Sequence, residues 1–266
     1  MNTRFDKWAA GDAYDTYMGR WSRRVADPFL EWLAPAPGGN WLEVGCGTGA
    51  LTQAVYHRAE PASLVACDPS ADFVSFARNS MEEASVTFLV AGADDLPRRE
   101  GGFDIVVSGL VLNFLDPPAV AVRSMRERIR SGGRLAAYVW DYAEGMQFLR
   151  FFWAEAAALD PSAAQLDEGR RFPLCRTDSL IQLFEQAGMS SVESTAFQID
   201  TAFPDFEAYW SPFLGGTGPA PSYVDSLSQQ ARAELKLRLQ QRLASSTDGS
   251  IRLTARALGV RGLVTD

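Results

Sequence analysis

Glu43-Val44-Gly45-Cys46-Gly47-Thr48-Gly49 is the stretch of this chain best suited to holding a small charged ligand. It follows an apolar run and precedes a helical pattern. Three spaced glycines there let the backbone turn sharply and approach a ligand closely, while the helix start offers unpaired N–H groups. With Ala50 counted, the stretch also satisfies the GxGxxA form of a dinucleotide loop, and Asp68 stands at the distance where such loops place a ribose-binding acid. A nicotinamide oxidoreductase is therefore one reading. Glu43 favours another, because a carboxylate at the end of the first strand repels a pyrophosphate and suits a cationic amino group. Asp68, ending the second strand, can accept two charge-assisted hydrogen bonds from a ribose diol.

Positioning these residues requires an open α/β sheet. From Trp41 to Tyr142 short β-rich runs alternate with helical stretches, the pattern of a parallel sheet with helices on both faces. Strands are expected near 41–46, 63–68, 86–91, 103–108 and 133–140, without clean alternation because both faces are buried. Helices fit at 50–58, 70–82 and 117–130, the last ended by Ser131-Gly132-Gly133. Upstream, 12–33 reads as one or two amphipathic helices. Downstream, 146–159 and 177–188 read as helices, 191–201 as a strand, 203–224 as loop, 225–244 as a helix and 250–264 as one or two strands.

The chain has 266 residues, with 25 Lys+Arg against 33 Asp+Glu and a formal net charge of −8. A nucleic-acid binder normally shows a basic face, so no nucleic-acid partner is expected. Apolar residues at 47% allow a substantial core. No apolar run approaches the roughly 20 residues of a membrane span, and the N-terminus lacks a secretory core, so a cytoplasmic location is expected. Cys46, Cys67 and Cys175 form no CxxC pair, so no disulfide framework and no metal site is expected.

EVGCGTG, the acid in ACDPS, GADDLP, FDIVVSGLVLNFL and SGGRLAAYVW occur in that order, and with them the chain resembles the class I S-adenosylmethionine-dependent methyltransferases. It looks most like their small-molecule branch, which includes the quinone-biosynthesis methyltransferases. The resemblance covers 41–142 well and the rest loosely. It implies an α/β fold: a Rossmann-like seven-stranded methyltransferase sheet with helices on both faces and a helical cap. One domain over 1–266 is expected, with an N-terminal helical segment (1–38), a cofactor-binding core (39–142) and a C-terminal half (143–266) whose cap insertions lie near 145–172 and 203–246.

Carried over position by position, the resemblance puts Glu43 and the backbone of Gly45, Cys46, Gly47 and Gly49 beside the methionine part of S-adenosylmethionine. Asp68 takes the ribose, with Pro69 and Ser70 beside it. The family often has an adenine-binding acid where Gly92 stands; here Ala93 offers its N–H and Asp94 substitutes as acceptor. Ser108 and Gly109 face the methionine amino group and sulfur, and Arg20 pairs with the carboxylate. The implied reaction moves the sulfonium methyl to an O, N or C atom of a small, apolar or aromatic acceptor, leaving S-adenosylhomocysteine. Candidates for handling an acceptor proton are Tyr17, Asn113 (orienting only), Asp141 and Tyr142. Trp140, Tyr142, Phe148, Tyr209 and Trp210 are the expected substrate wall. His57, the only histidine, reads as structural, facing away from the strand ends. The expected partner is the acceptor alone, with the protein a monomer or homodimer. Two alternatives stay open: an NAD(P)-dependent oxidoreductase using the same loop, or an S-adenosylmethionine-binding protein without transferase activity.

Overall fold

A computed structural model describes residues 15–81, 83, 85–243 and 246–265. Seven strands, β1 (Asn40–Val44), β2 (Ser63–Asp68), β3 (Val86–Val90), β4 (Phe103–Gly109), β5 (Ile129–Trp140), β6 (Ser190–Phe203) and β7 (Ile251–Leu263), form one sheet in the order β3-β2-β1-β4-β5-β7-β6. The first five are parallel, with Glu43 opposite Ala66 on one side and Val107 on the other. β7 runs antiparallel to β5, since Gly132 N–H meets Val264 O and Asp141 N–H meets Arg256 O. The sheet is therefore mixed and Rossmann-like, and its order reverses beside β1, where ligands of open α/β sheets bind.

The chain forms two compact units. The first holds Ser22–Val139, Leu174–Phe197 and the chain from Ala257; the second holds the described residues up to Trp21, Trp140–Pro173 and Gln198–Arg256. In the first, Trp41, Leu42, Val106 and Val107 are buried on consecutive strand positions, which is why the sequence shows no alternation there. Helix Arg20–Leu33 sets Phe29 against Tyr138 at 4.7 Å between ring centroids and packs it edge-on to Phe197. In the second, Phe152 stacks on Phe213 at 4.5 Å, and Tyr17 meets Phe148 and Phe213 edge-on.

Three expectations are corrected. The helix expected over 117–130 is Pro118–Arg126 and ends without glycine; Gly132 and Gly133 instead lie inside β5. There Phe103 pairs with Ile129 but Ile105 with Arg134, so the extra residues form a bulge that Gly132, at φ +75°, accommodates. The segment 203–224 is not loop: Asp205 caps helix Phe206–Trp210 by accepting from Ala208 N–H at 2.8 Å, and Pro219 opens helix Pro219–Ser226. The helix expected over 225–244 is Gln229–Arg242, begun by the Ser228 hydroxyl.

Candidate cofactor site

The glycine loop lies entirely in the first unit. Gly45 and Cys46 N–H both donate to Cys67 O, at 2.7 and 3.0 Å, tying the loop to the end of β2. Gly45, Gly47 and Gly49 have φ of +79°, +51° and +87°, the left-handed region that glycine enters without strain. Gly45 has a second constraint, since a Cβ there would stand 2.4 Å from Val111 Cγ2. Gly45→Ala is expected to destabilise the protein by about 1–2 kcal/mol from the left-handed backbone alone, and to displace Val111; urea unfolding checks this. A stability equal to that of the parent chain would show that the loop and Val111 yield freely.

Asp68 is where the loop and β2 meet. Its Oδ2 accepts from Gly47 N–H at 3.0 Å and its Oδ1 from Ser70 N–H at 2.9 Å. Each carboxylate oxygen keeps a further lone pair, so the group braces the loop and can still receive a diol. Burial raises its pKa, against the pull of the two N–H groups. Ser70 in turn caps helix Ala71–Ser80 through Phe73 N–H. Pro69 is exposed beside it.

Glu43 is buried and accepts from the Thr52 hydroxyl at 2.6 Å. Burial pushes its carboxyl up to about 7; Thr52 opposes the shift and Asp68 adds to it. A cation brought to this carboxylate is therefore held strongly, because little water competes. Burial also raises both neighbouring thiols, with Cys67 pushed up to about 12, so Cys46 is a packing residue against Ala66, Val74 and Phe88. The Ser108 hydroxyl donates to Val44 O at 2.9 Å, fixing this buried residue at the end of β4. A Cβ on Gly109 would meet the Tyr138 hydroxyl at 2.7 Å, so glycine is needed for that approach. Asp94 Oδ1 lies 2.7 Å from where a Cβ on Gly92 would stand, filling the space the missing side chain leaves. Ala93 is half-buried between them.

Arg20, Tyr17 and the expected substrate wall all belong to the second unit. The Arg20 guanidinium lies over the Trp21 and Phe203 rings, 4.3 and 4.9 Å from their centroids. Trp140, Tyr142, Phe148, Tyr209 and Trp210 are all buried, and the Tyr209 hydroxyl donates to Phe148 O at 2.9 Å. Asp141 is committed elsewhere: it takes the Arg256 guanidinium and caps Glu144 N–H. Glu168 was not visible in the sequence. It is buried, accepts from Trp153 Nε1 at 2.5 Å, and its carboxyl is pushed by burial up to about 7. A DEGRR run reads as solvated; the one available signal was that a buried Trp153 must find an acceptor. His57 is exposed. Among the described residues no group of His, Cys, Asp and Glu could hold a metal ion, and no helix is long and apolar enough to cross a membrane.

The glycine loop and the acids Asp68 and Glu43 lie together at the ends of β1 and β2. Residues 42–137 match the family described as "Methyltransferase domain". The chain is 30% identical over 159 residues to thiol S-methyltransferase TMT1B of Homo sapiens, covering 57% of this chain and 60% of that one. It is 27% identical over 183 residues to malonyl-[acyl-carrier protein] O-methyltransferase of Erwinia pyrifoliae, covering 69% and 63%. It thus spans about three-fifths of the length of each of these relatives. Among solved structures, phosphoethanolamine N-methyltransferase 2 of Haemonchus contortus, in complex with phosphomonomethylethanolamine and S-adenosylhomocysteine, shares the fold. The TM-score is 0.57 at 14% identity, over 96% of this chain and 56% of that one. Residues 42–137 are thus similar to a methyltransferase domain, and the sheet has the fold of a methyltransferase solved with S-adenosylhomocysteine bound.

Proposed function

We propose that this protein transfers the methyl group of S-adenosylmethionine to a small, apolar or aromatic molecule. The observation that carries the reading is Asp68, whose carboxylate joins the glycine loop to the end of β2 while keeping acceptor capacity for a ribose diol. Glu43 receives the positive end of the cofactor, the backbone of the loop and the helix start border its methionine part, and Asp94 and Ala93 N–H accept from and donate to the adenine edge. Ser108 and Gly109 present backbone to the methionine amino group.

When bound, the cofactor supplies an already activated methyl carbon. The chain's contribution is alignment of the acceptor atom and exclusion of water. An acceptor hydroxyl or amine loses its proton during transfer. Tyr17 and Tyr142 are the proton-handling candidates in the second unit, whereas Asp141 is held by Arg256. The apolar class of the acceptor follows from the aromatic side chains concentrated there, Trp140, Tyr142, Phe148, Tyr209 and Trp210. A net charge of −8 supports a small-molecule acceptor over a nucleic acid.

S-adenosylhomocysteine is expected to raise the melting temperature in proportion to the logarithm of its concentration, since it binds the folded state. NADH is expected to leave it unchanged. Stabilisation by NADH and none by S-adenosylhomocysteine would replace this reading with that of an oxidoreductase.

A further inference from the structure

We propose that Arg78 holds the β3 edge of the sheet shut against a second copy of this chain. β3 is an outermost strand in the order β3-β2-β1-β4-β5-β7-β6, so one row of its backbone groups has no neighbouring strand. The register shows which row. Val86 stands opposite Leu64 and Val90 opposite Asp68, while Leu64 N–H donates to Ser85 O and Ala91 N–H to Asp68 O. Backbone groups alternate sides along a strand, so those of Thr87 and Leu89 also bond toward β2, and Val86, Phe88 and Val90 turn theirs outward.

An open row of this kind is a template for another strand. Val86-Thr87-Phe88-Leu89-Val90 does nothing to discourage one: it has no charge, no proline and no glycine, and Leu89 and Val90 are 36% and 57% exposed. The occupant it fits is its own copy. Two identical uncharged edges, run antiparallel about a twofold axis, offer each other the same donors and acceptors.

Two of the outward groups are already engaged. Val86 N–H donates to Glu83 O at 3.0 Å. Arg78, in the last turn of helix Ala71–Ser80, donates from Nη2 to Phe88 O at 2.8 Å. Phe88 is the middle residue of the outward three. Opposed residues of an antiparallel pair exchange both N–H···O bonds, so every register that joins more than one outward pair needs Phe88 O. A guanidinium bonded to that carbonyl sets a charge in the path of an incoming strand, which is how sheet edges are kept from pairing.

Arg78→Met keeps much of the aliphatic stem and removes every donor. Sedimentation from micromolar to millimolar concentration is expected to show its mass doubling relative to the parent chain, with amide exchange at Phe88 and Val90 slowing as it does. Doubling is the limit, because the pairing closes this edge on both copies. Arg78→Ala should behave alike, which covers a folding defect peculiar to methionine, whereas Arg78→Lys keeps a charged donor and should stay at the parent's mass. Adding Val90→Pro to Arg78→Met removes an outward N–H and no bond to β2, and is expected to restore the parent's mass. In the parent chain, the Phe88 and Val90 amides should exchange faster than those of Thr87 and Leu89 at every concentration. The proposal is overturned by Arg78→Met or Arg78→Ala keeping the parent's mass, by doubling that survives Val90→Pro, or by slow exchange at Phe88 and Val90 in the parent.

Discussion

Asp68→Ala weakens S-adenosylhomocysteine binding by roughly 10- to 150-fold, the range that follows from losing about 1.5–3 kcal/mol of charge-assisted hydrogen bonding. The same change removes the acceptors of Gly47 and Ser70 N–H, so the ligand-free protein also melts earlier. Asp68→Asn separates the two roles. An asparagine Oδ1 can still take one of the backbone N–H groups, while its Nδ2 opposes the second and offers the ribose a donor in place of an acceptor. It is expected to recover part of the lost melting temperature and little of the lost affinity. Calorimetry alongside thermal unfolding reads both quantities. An unchanged Kd in Asp68→Ala would reduce this acid to a brace for the loop and withdraw the observation on which the functional reading stands.

The second large effect is on stability against pH. Glu43 and Glu168 both have carboxyls raised by burial to about 7. Between the ordinary glutamate range and 7 the folded chain therefore holds two protons that the unfolded chain has released. Stability is then fully present below the unfolded pKa and is lost as pH rises through about 7. Each acid accounts for about 3 kcal/mol across that interval. Urea unfolding at pH 5.5 and pH 8 is expected to show the higher stability at the lower pH. Glu43→Gln should flatten the dependence of the first unit and Glu168→Gln that of the second. A stability that climbs toward pH 8 would mean that both carboxylates are ionised and satisfied in the folded protein. Cofactor binding is linked to the same proton. A cation beside Glu43 favours its ionised form, so S-adenosylhomocysteine should bind more tightly as pH rises through 7, with proton release visible as a buffer-dependent enthalpy.

The edge of legibility runs through particular residues. Asp68 and the glycine loop were readable because their roles are local: a turn that needs positive φ demands glycine, and a strand must end where the ligand lies. Glu43 was readable as an acid facing a cation, but its raised pKa was not, because that depends on how completely β2, β4 and the helix starting at Ala50 exclude water from it. Asp141 looked like a proton acceptor by position alone. Arg256, distant in sequence, is what occupies it. Asp94 stands by position where it can replace the acid missing at Gly92, but the fold-back of its carboxylate over that glycine is set only in three dimensions.

By itself, the sequence determined the parallel half of the sheet, the loop that must be glycine and the acids at the ends of β1 and β2. All of these follow from short-range periodicity and backbone stereochemistry. Tertiary structure alone decided that Gly132 and Gly133 would bulge a strand and not end a helix, and which acids would be buried. Those outcomes turn on partners far away in sequence. The bulge exists because Phe103 and Ile105 set the register of β5, and Glu168 is buried because Trp153 requires an acceptor.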